Sequence, residues 1–236
     1  MTSVLTKLLS LTLFACLIAS VMSAGTIAPC PTASVAVYVA LTGPCQIGSL
    51  EFSNFAYTNT YFPTLPGPPA SAVTVTPSSN PGDPGLDLSA AWTVSGGAGM
   101  DSALTYLVAT ISGAPTIDEA VFGLTDNIVS PPVSIQVSET LCVGVAIGPG
   151  VCPAADKIDV LVQSPQTSVF FAPVSVMTIS DDIYIKANGS GSGMISDVSN
   201  SLPTPEPGMP LLSLSGLLAL ALMARVSKKI NNCTAD

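Results

Sequence analysis

Fifteen carboxylates and no histidine set the chemistry open to this 236-residue chain. Without histidine no side chain has an ordinary pKa near neutrality for general-base work, and the commonest transition-metal ligand is missing. Ser-His-Asp and Cys-His catalysis are closed to the chain by itself. Carboxylates remain. Asp83, Asp87 and Asp101 lie near turn-forming residues, as does the pair Asp181-Asp182. Such oxygen clusters suit calcium, but no D-x-D-x-D-G spacing organises them, and solvated turn carboxylates are the plainer reading. Asp118-Glu119 offers two carboxylates for the acid and base roles of glycoside hydrolysis. Neighbours on a strand point to opposite faces, so this pair does not share a cleft. No catalytic residue, cofactor or metal ligand is assigned.

Two further groups carry chemistry. Cys30, Cys45, Cys142 and Cys152 lie between two apolar ends. An even count in an exported domain reads as disulfides, with three connectivities open. Proximity favours Cys30–Cys45 and Cys142–Cys152, whose loops contain Gly43-Pro44 and Gly148-Pro149-Gly150. Zinc is the rival, disfavoured by the lack of C-x-x-C and of histidine. Tyr57, Tyr61 and Phe62 precede a proline-rich turn, Pro63 to Pro69. Their rings suit stacking on sugars, while ordinary alternation between core and surface explains them as well.

The elements that must position these groups read as strands. Apolar and polar residues alternate over Ser34–Leu41, Leu50–Tyr57, Ala72–Thr76, Leu86–Val94, Ser102–Ile111, Val133–Leu141, Ile158–Val162, Val169–Ser180 and Ile183–Lys186. Turn signals separate them: Pro81-Gly82-Asp83-Pro84-Gly85, Gly96-Gly97, Pro131-Pro132 and Asn188-Gly189, with Gly189–Gly193 expected as a flexible loop or hairpin turn. About nine such strands predict an all-β domain, an antiparallel β-sandwich, jelly-roll-like, between an N-terminal signal helix and a C-terminal hydrophobic helix. Only 9% of residues are charged and 48% are apolar, which excludes a disordered chain. Between Gly25 and Thr204 two cations, Lys157 and Lys186, face thirteen carboxylates. That field repels phosphate backbones and excludes nucleic acid as a partner.

Both ends speak of export. Lys7, the apolar run Leu8–Met22 and the small residues Ser23, Ala24 and Gly25 form a signal peptide over 1–24, cleaved after Ala24 or Ser23. A lipoprotein reading of Leu13-Phe14-Ala15-Cys16 is disfavoured by bulky Phe14 and by the apolar run continuing past Cys16. At the other end, Ser201 to Gly208 is a proline-rich spacer holding Pro205-Glu206-Pro207. Met209 to Ala224 is apolar and uncharged, inside a helix expected over 209–226 that takes in Arg225 at its end, and Lys228 and Lys229 follow in a cytoplasmic basic tail over 227–236. The domain over 25–200 then lies across the membrane.

This tail resembles the PEP-CTERM sorting signal of exported proteins in many environmental Gram-negative bacteria. The residues that match are Pro205, Glu206 and Pro207, the apolar stretch and Arg225. The resemblance implies recognition by an exosortase-type membrane protease, membrane attachment only through the C-terminal helix before processing, and a cell-surface or biofilm-matrix setting. Together the readings describe a non-catalytic, exported surface or matrix protein. The alternative is an extracellular polysaccharide-binding module, assisted by calcium.

Overall fold

A computed structural model of the chain describes residues 27–60, 65–78, 80, 82–130, 132–147, 152–162 and 165–204. The elements follow in the order β1 (Ala33–Ser34), α1 (Val35–Val39), β2 (Cys45–Ile47), β3 (Leu50–Thr60), β4 (Thr74–Pro77), β5 (Gly85–Ser95) and β6 (Gly99–Thr110). Then come β7 (Ile117–Ser130), β8 (Val133–Val143), β9 (Lys157–Val162), β10 (Gln166–Val174), β11 (Val176–Ala187) and β12 (Ser192–Ser201). Sheet 1 has the order β1-β4-β5-β12-β7-β10 and sheet 2 the order β2-β3-β6-β11-β8-β9, with every strand pair antiparallel.

The last eight strands pair in a nested way: β5 with β12, β6 with β11, β7 with β10 and β8 with β9. This is the winding of a two-sheet jelly roll, one long hairpin folded over so that successive strands alternate between sheets. The first four strands widen the sheets at one side. Period-2 alternation supplies the core. Leu86, Leu88, Trp92 and Val94 point inward from sheet 1, and Leu104, Tyr106, Val108, Met177, Ile179, Ile183 and Ile185 from sheet 2. Each such side chain contributes about 1.5–3 kcal/mol on burial. Trp92 Nε1 donates across the core to Ser102 Oγ at 2.8 Å, tying the sheets together.

Local readings fail where tertiary contacts overrule them. Ser34–Leu41 was expected as a strand, yet Val35–Val39 forms the short helix α1. Strand alternation would bury Val35, Val37 and Val39 together. Only Val35 and Tyr38 are buried, at helical i, i+3 spacing. Five residues cannot hold a helix unaided, so its contacts decide. Val35 and Ala36 donate their N–H groups to Val73 and Ala70, and Tyr38 meets the Phe55 ring edge-on at 4.8 Å. The helix thereby closes the side of the sandwich between β4 and β3. A second correction concerns Asp181-Asp182. They mark no turn, because β11 runs unbroken through them. The predicted strand Val169–Ser180 instead breaks at Ser175, where the chain changes sheets. Three strands, β2, β7 and β12, were not foreseen. β2 is only three residues long, too short to show a period. Glycine, serine and carboxylates interrupt the apolar files of β7 and β12, and β12 begins inside the stretch expected as a loop.

Cys30–Cys45 and Cys142–Cys152 are bonded, the pairing that proximity favours. Two such bridges fit a protein of an oxidising compartment. Leu202 is buried and donates its N–H to Pro84, and Thr204 donates to Gly82, so Ser201–Thr204, expected as spacer, packs on the domain. The cleavage residues Ser23, Ala24 and Gly25, the motif Pro205, Glu206 and Pro207, Arg225 and both terminal helices lie outside the described residues. Among the described residues no helix is long and apolar enough to cross a membrane.

Candidate functional site

Sheet 1 turns its outer face into a groove at one end. Because Leu86 and Leu88 point inward, Asp87 and Ser89 point outward from β5. In register across the sheet, Ser199 of β12 stands between Asp87 and Gly123 of β7. Gly123 makes the floor dip: a Cβ there would come 2.3 Å from Ser199 Oγ. The β4–β5 turn raises one wall with Ser78, Asn80 and Asp83, and Pro165 and Gln166 raise the other. Val121 and Ser201 complete a cavity of about 330 Å³. Asn80 Nδ2 donates to Asp83 Oδ2 at 2.6 Å while its Oδ1 accepts from the Gly82 N–H, which stiffens the turn. Beneath, Ser89 Oγ donates to Asp197 Oδ1 at 2.6 Å. Burial, and then the charge of Asp197, push the Asp87 carboxyl above its ordinary range. Among the described residues no cation lines the groove, and its carboxylates repel polyanions. Its carboxylates, amides and hydroxyls suit a neutral polyol.

A second polar group lies between the sheets. Asp181 of β11 and Glu139 of β8 face each other in register, both fully buried. Asn200 reaches them from the opposite sheet, its Nδ2 donating to Asp181 Oδ1 at 2.7 Å and to the Tyr106 hydroxyl at 2.8 Å. Burial, and next the Asp181 charge, hold the Glu139 carboxyl well above its usual range. Burial also raises Asp181, while hydrogen bonds from Glu139 and Asn200 pull it back. Tyr106 is raised by the same burial and by both carboxyls. Counting only donors with fixed protons, Glu139 Oε1 and Oε2, Asp181 Oδ2 and Asn200 Oδ1 have none. A proton carried by Glu139 serves two of the four. Each atom left over costs about 1–3 kcal/mol.

A third group decorates the outer face of sheet 2. Asp182 points away from the core beside Asp101 and Ser138, and its carboxyl is pushed up to about 6 by burial first and by Asp101 second. Two residues on, Tyr184 stands in register between Gln136 and Asp101.

The carboxylates singled out by the sequence thus separate. Asp83 and Asp87 share the groove, Asp101 joins Asp182 on sheet 2, and Asp181 is interior. These five do not come together as one cluster, and among the described residues no three Asp, Glu, Cys or His side chains gather to hold a metal. Asp118 and Glu119 are consecutive on β7. Tyr57 packs against the core and donates its hydroxyl to the Pro68 carbonyl at 2.6 Å, as an ordinary strand residue does, whereas Tyr61 and Phe62 lie outside the described residues. Sequence reasoning passed over Asn80, Gln166, Ser199, Glu139 and Asn200. For Glu139 a signal was present: it interrupts the inward file Val137, Glu139, Leu141.

No protein-family model and no curated protein sequence matches the chain. Several solved structures are loosely similar. TmCBM61 in complex with β-1,4-galactotriose aligns at 10% identity and a TM-score of 0.29, over 62% of this chain and 86% of that one. The xylan-binding domain CBM22-1 from Paenibacillus barcinonensis aligns at 8% identity and 0.25, over 64% and 87%. The enzymatically active domain of tailspike protein 4 of bacteriophage CBA120 aligns at 14% and 0.29, over 64% of this chain but 19% of that one. Superpositions this loose leave ligand and activity to be argued from the residues of the chain itself.

Proposed function

We propose that this chain is an exported, non-catalytic surface protein whose domain binds neutral polysaccharide in the groove of sheet 1. One observation carries the reading. A file of outward polar residues (Asp87, Ser199) meets a side-chain-free floor at Gly123 between amide-bearing walls, Asn80 and Gln166. Sugar hydroxyls donate to carboxylates and accept from amides, and a polymer needs a channel open to solvent rather than a closed pocket. Delivery rests on the ends: the signal peptide, and a tail that resembles a PEP-CTERM signal and implies processing by an exosortase-type protease.

Affinity electrophoresis against neutral matrix polysaccharides tests the groove. Asn80→Ala and Gln166→Ala are expected to weaken retention about tenfold each, the worth of one hydrogen bond to a well-placed partner. No retention of the wild-type chain, or retention unchanged in both variants, overturns the reading. Release of new reducing ends would show turnover and remove the word non-catalytic.

A further inference from the structure

The cluster between the sheets holds more acceptors than donors. Glu139 and Asp181 are fully buried, Asn200 nearly so, and together they leave four oxygen atoms with no fixed donor. Both amide protons of Asn200 are already spent, on Asp181 and Tyr106. A buried oxygen that meets no hydrogen is satisfied by a proton shared between acids or by a cation. One shared proton reaches two of the four atoms. A cation accepts several oxygens at once.

We propose that Glu139, Asp181, Asn200 and the Tyr106 hydroxyl form an interior calcium site between the two sheets. The donor set decides the ion. All four groups offer hard oxygen and none offers nitrogen or sulfur, which selects against zinc and other transition metals. Two carboxylates balance a charge of two, so the bound ion leaves the core neutral, as a monovalent ion would not. Calcium takes about six to eight oxygens in flexible geometry, water making up what the protein lacks, whereas magnesium demands a tighter octahedron and sheds water reluctantly. The site joins β6, β8 and β11 of one sheet to β12 of the other, so the ion would act as a cross-brace. The groove plays no part in this assignment.

The full chain, unfolded and refolded in detergent with either EDTA or calcium, tests it. Elemental analysis after gel filtration should find one calcium per chain. The melting temperature should rise with calcium concentration, and added magnesium should not reproduce the rise. Terbium should bind in its place and luminesce on excitation of the adjoining tyrosine. Glu139→Gln, which keeps the shape of the protonated acid, should lose metal and luminescence while keeping the β-sheet spectrum; Asp181→Asn is the second variant if the first fails to fold. Asp87→Ala, in the groove, should retain the ion. A wild-type chain that keeps no metal and melts identically in EDTA and calcium overturns the proposal, leaving the shared proton as the explanation. Loss of the ion in Asp87→Ala overturns it too, since the metal would then sit elsewhere.

Discussion

At the residue scale, two pairs of carboxyls meet across neighbouring strands, and depth of burial separates their behaviour. Asp182 and Asp101 lie on an outer face, where partial desolvation and the nearby carboxyl together lift Asp182 to about 6. Asp101→Asn removes the neighbouring charge, so Asp182 is expected to titrate closer to its ordinary 3.8, by an amount that carboxyl-carbon NMR reads directly. An unmoved midpoint would mean that burial alone sets it. Glu139 and Asp181 lie in the core with Tyr106 facing them and Asp182 adding its charge to Glu139. Here the folded pKa is raised above the unfolded one, so in EDTA the native state binds more protons than the unfolded state once pH exceeds about 4.5. The stabilising effect is complete below that pH and fades as pH climbs towards the folded value. Urea midpoints taken at rising pH in EDTA should therefore fall, and Glu139→Gln should flatten the slope. These pairs were half legible in the sequence. A carboxylate in an apolar period-2 file is visible for Glu139 and Asp181, but the partners come from β8, β11 and β12, whose pairing no local pattern states.

At the scale of elements, the sandwich depends on close passage of strands as well as apolar faces. Gly85 opens β5 directly against β12, where a Cβ would stand 2.0 Å from the Asn200 carbonyl oxygen. Backbone on backbone cannot rotate away. Gly85→Ala is expected to cost about 1–3 kcal/mol or more in urea unfolding, as overpacking does. Gly43, with nothing within 4 Å of its added Cβ, serves as the control and should be near neutral. Equal effects at the two positions would refute the register of β5 on β12. Strands rich in valine, leucine and isoleucine announced themselves, since one face of each is apolar. β12 did not. Its inward residues Ile195, Val198 and Asn200 are spaced by a register shift between Ile195 and Asp197, which breaks the period that sequence reading relies on. α1 misled for the opposite reason: an apolar run with β-branched residues was pulled into a helix by Tyr38 and Phe55.

At the scale of the whole molecule, the first and last described stretches lie at one end of the domain. Ala28 accepts from the Gln46 N–H at 2.9 Å, and Ser49 donates to Thr204 Oγ1 at 3.2 Å, so entry and exit flank the β2–β3 hairpin. The exit strand also hydrogen-bonds the turn that walls the groove, through Leu202 to Pro84 and Thr204 to Gly82. A tether at the C-terminus would thus hold the groove close to its anchor. Intact mass of the chain recovered from its native cells should show a start after Ser23 or Ala24 and an end near Pro205–Pro207, the apolar segment removed. A mass equal to all 236 residues would contradict both the signal peptide and the sorting tail.

Composition and order alone determined the class of molecule: too apolar to be disordered, with alternating files that must bury one face and cysteines close enough to bridge locally. Those are properties of neighbours along the chain, and a sequence displays neighbours. The groove and the interior cluster belong to another kind of fact. Asp87, Ser199 and Gly123 lie far apart in sequence and meet only because β12 inserts between β5 and β7. Glu139, Asp181 and Asn200 meet only because the nested hairpin folds one sheet over the other. Strand order is set by the free energy of the whole core, and the tertiary structure alone decides it.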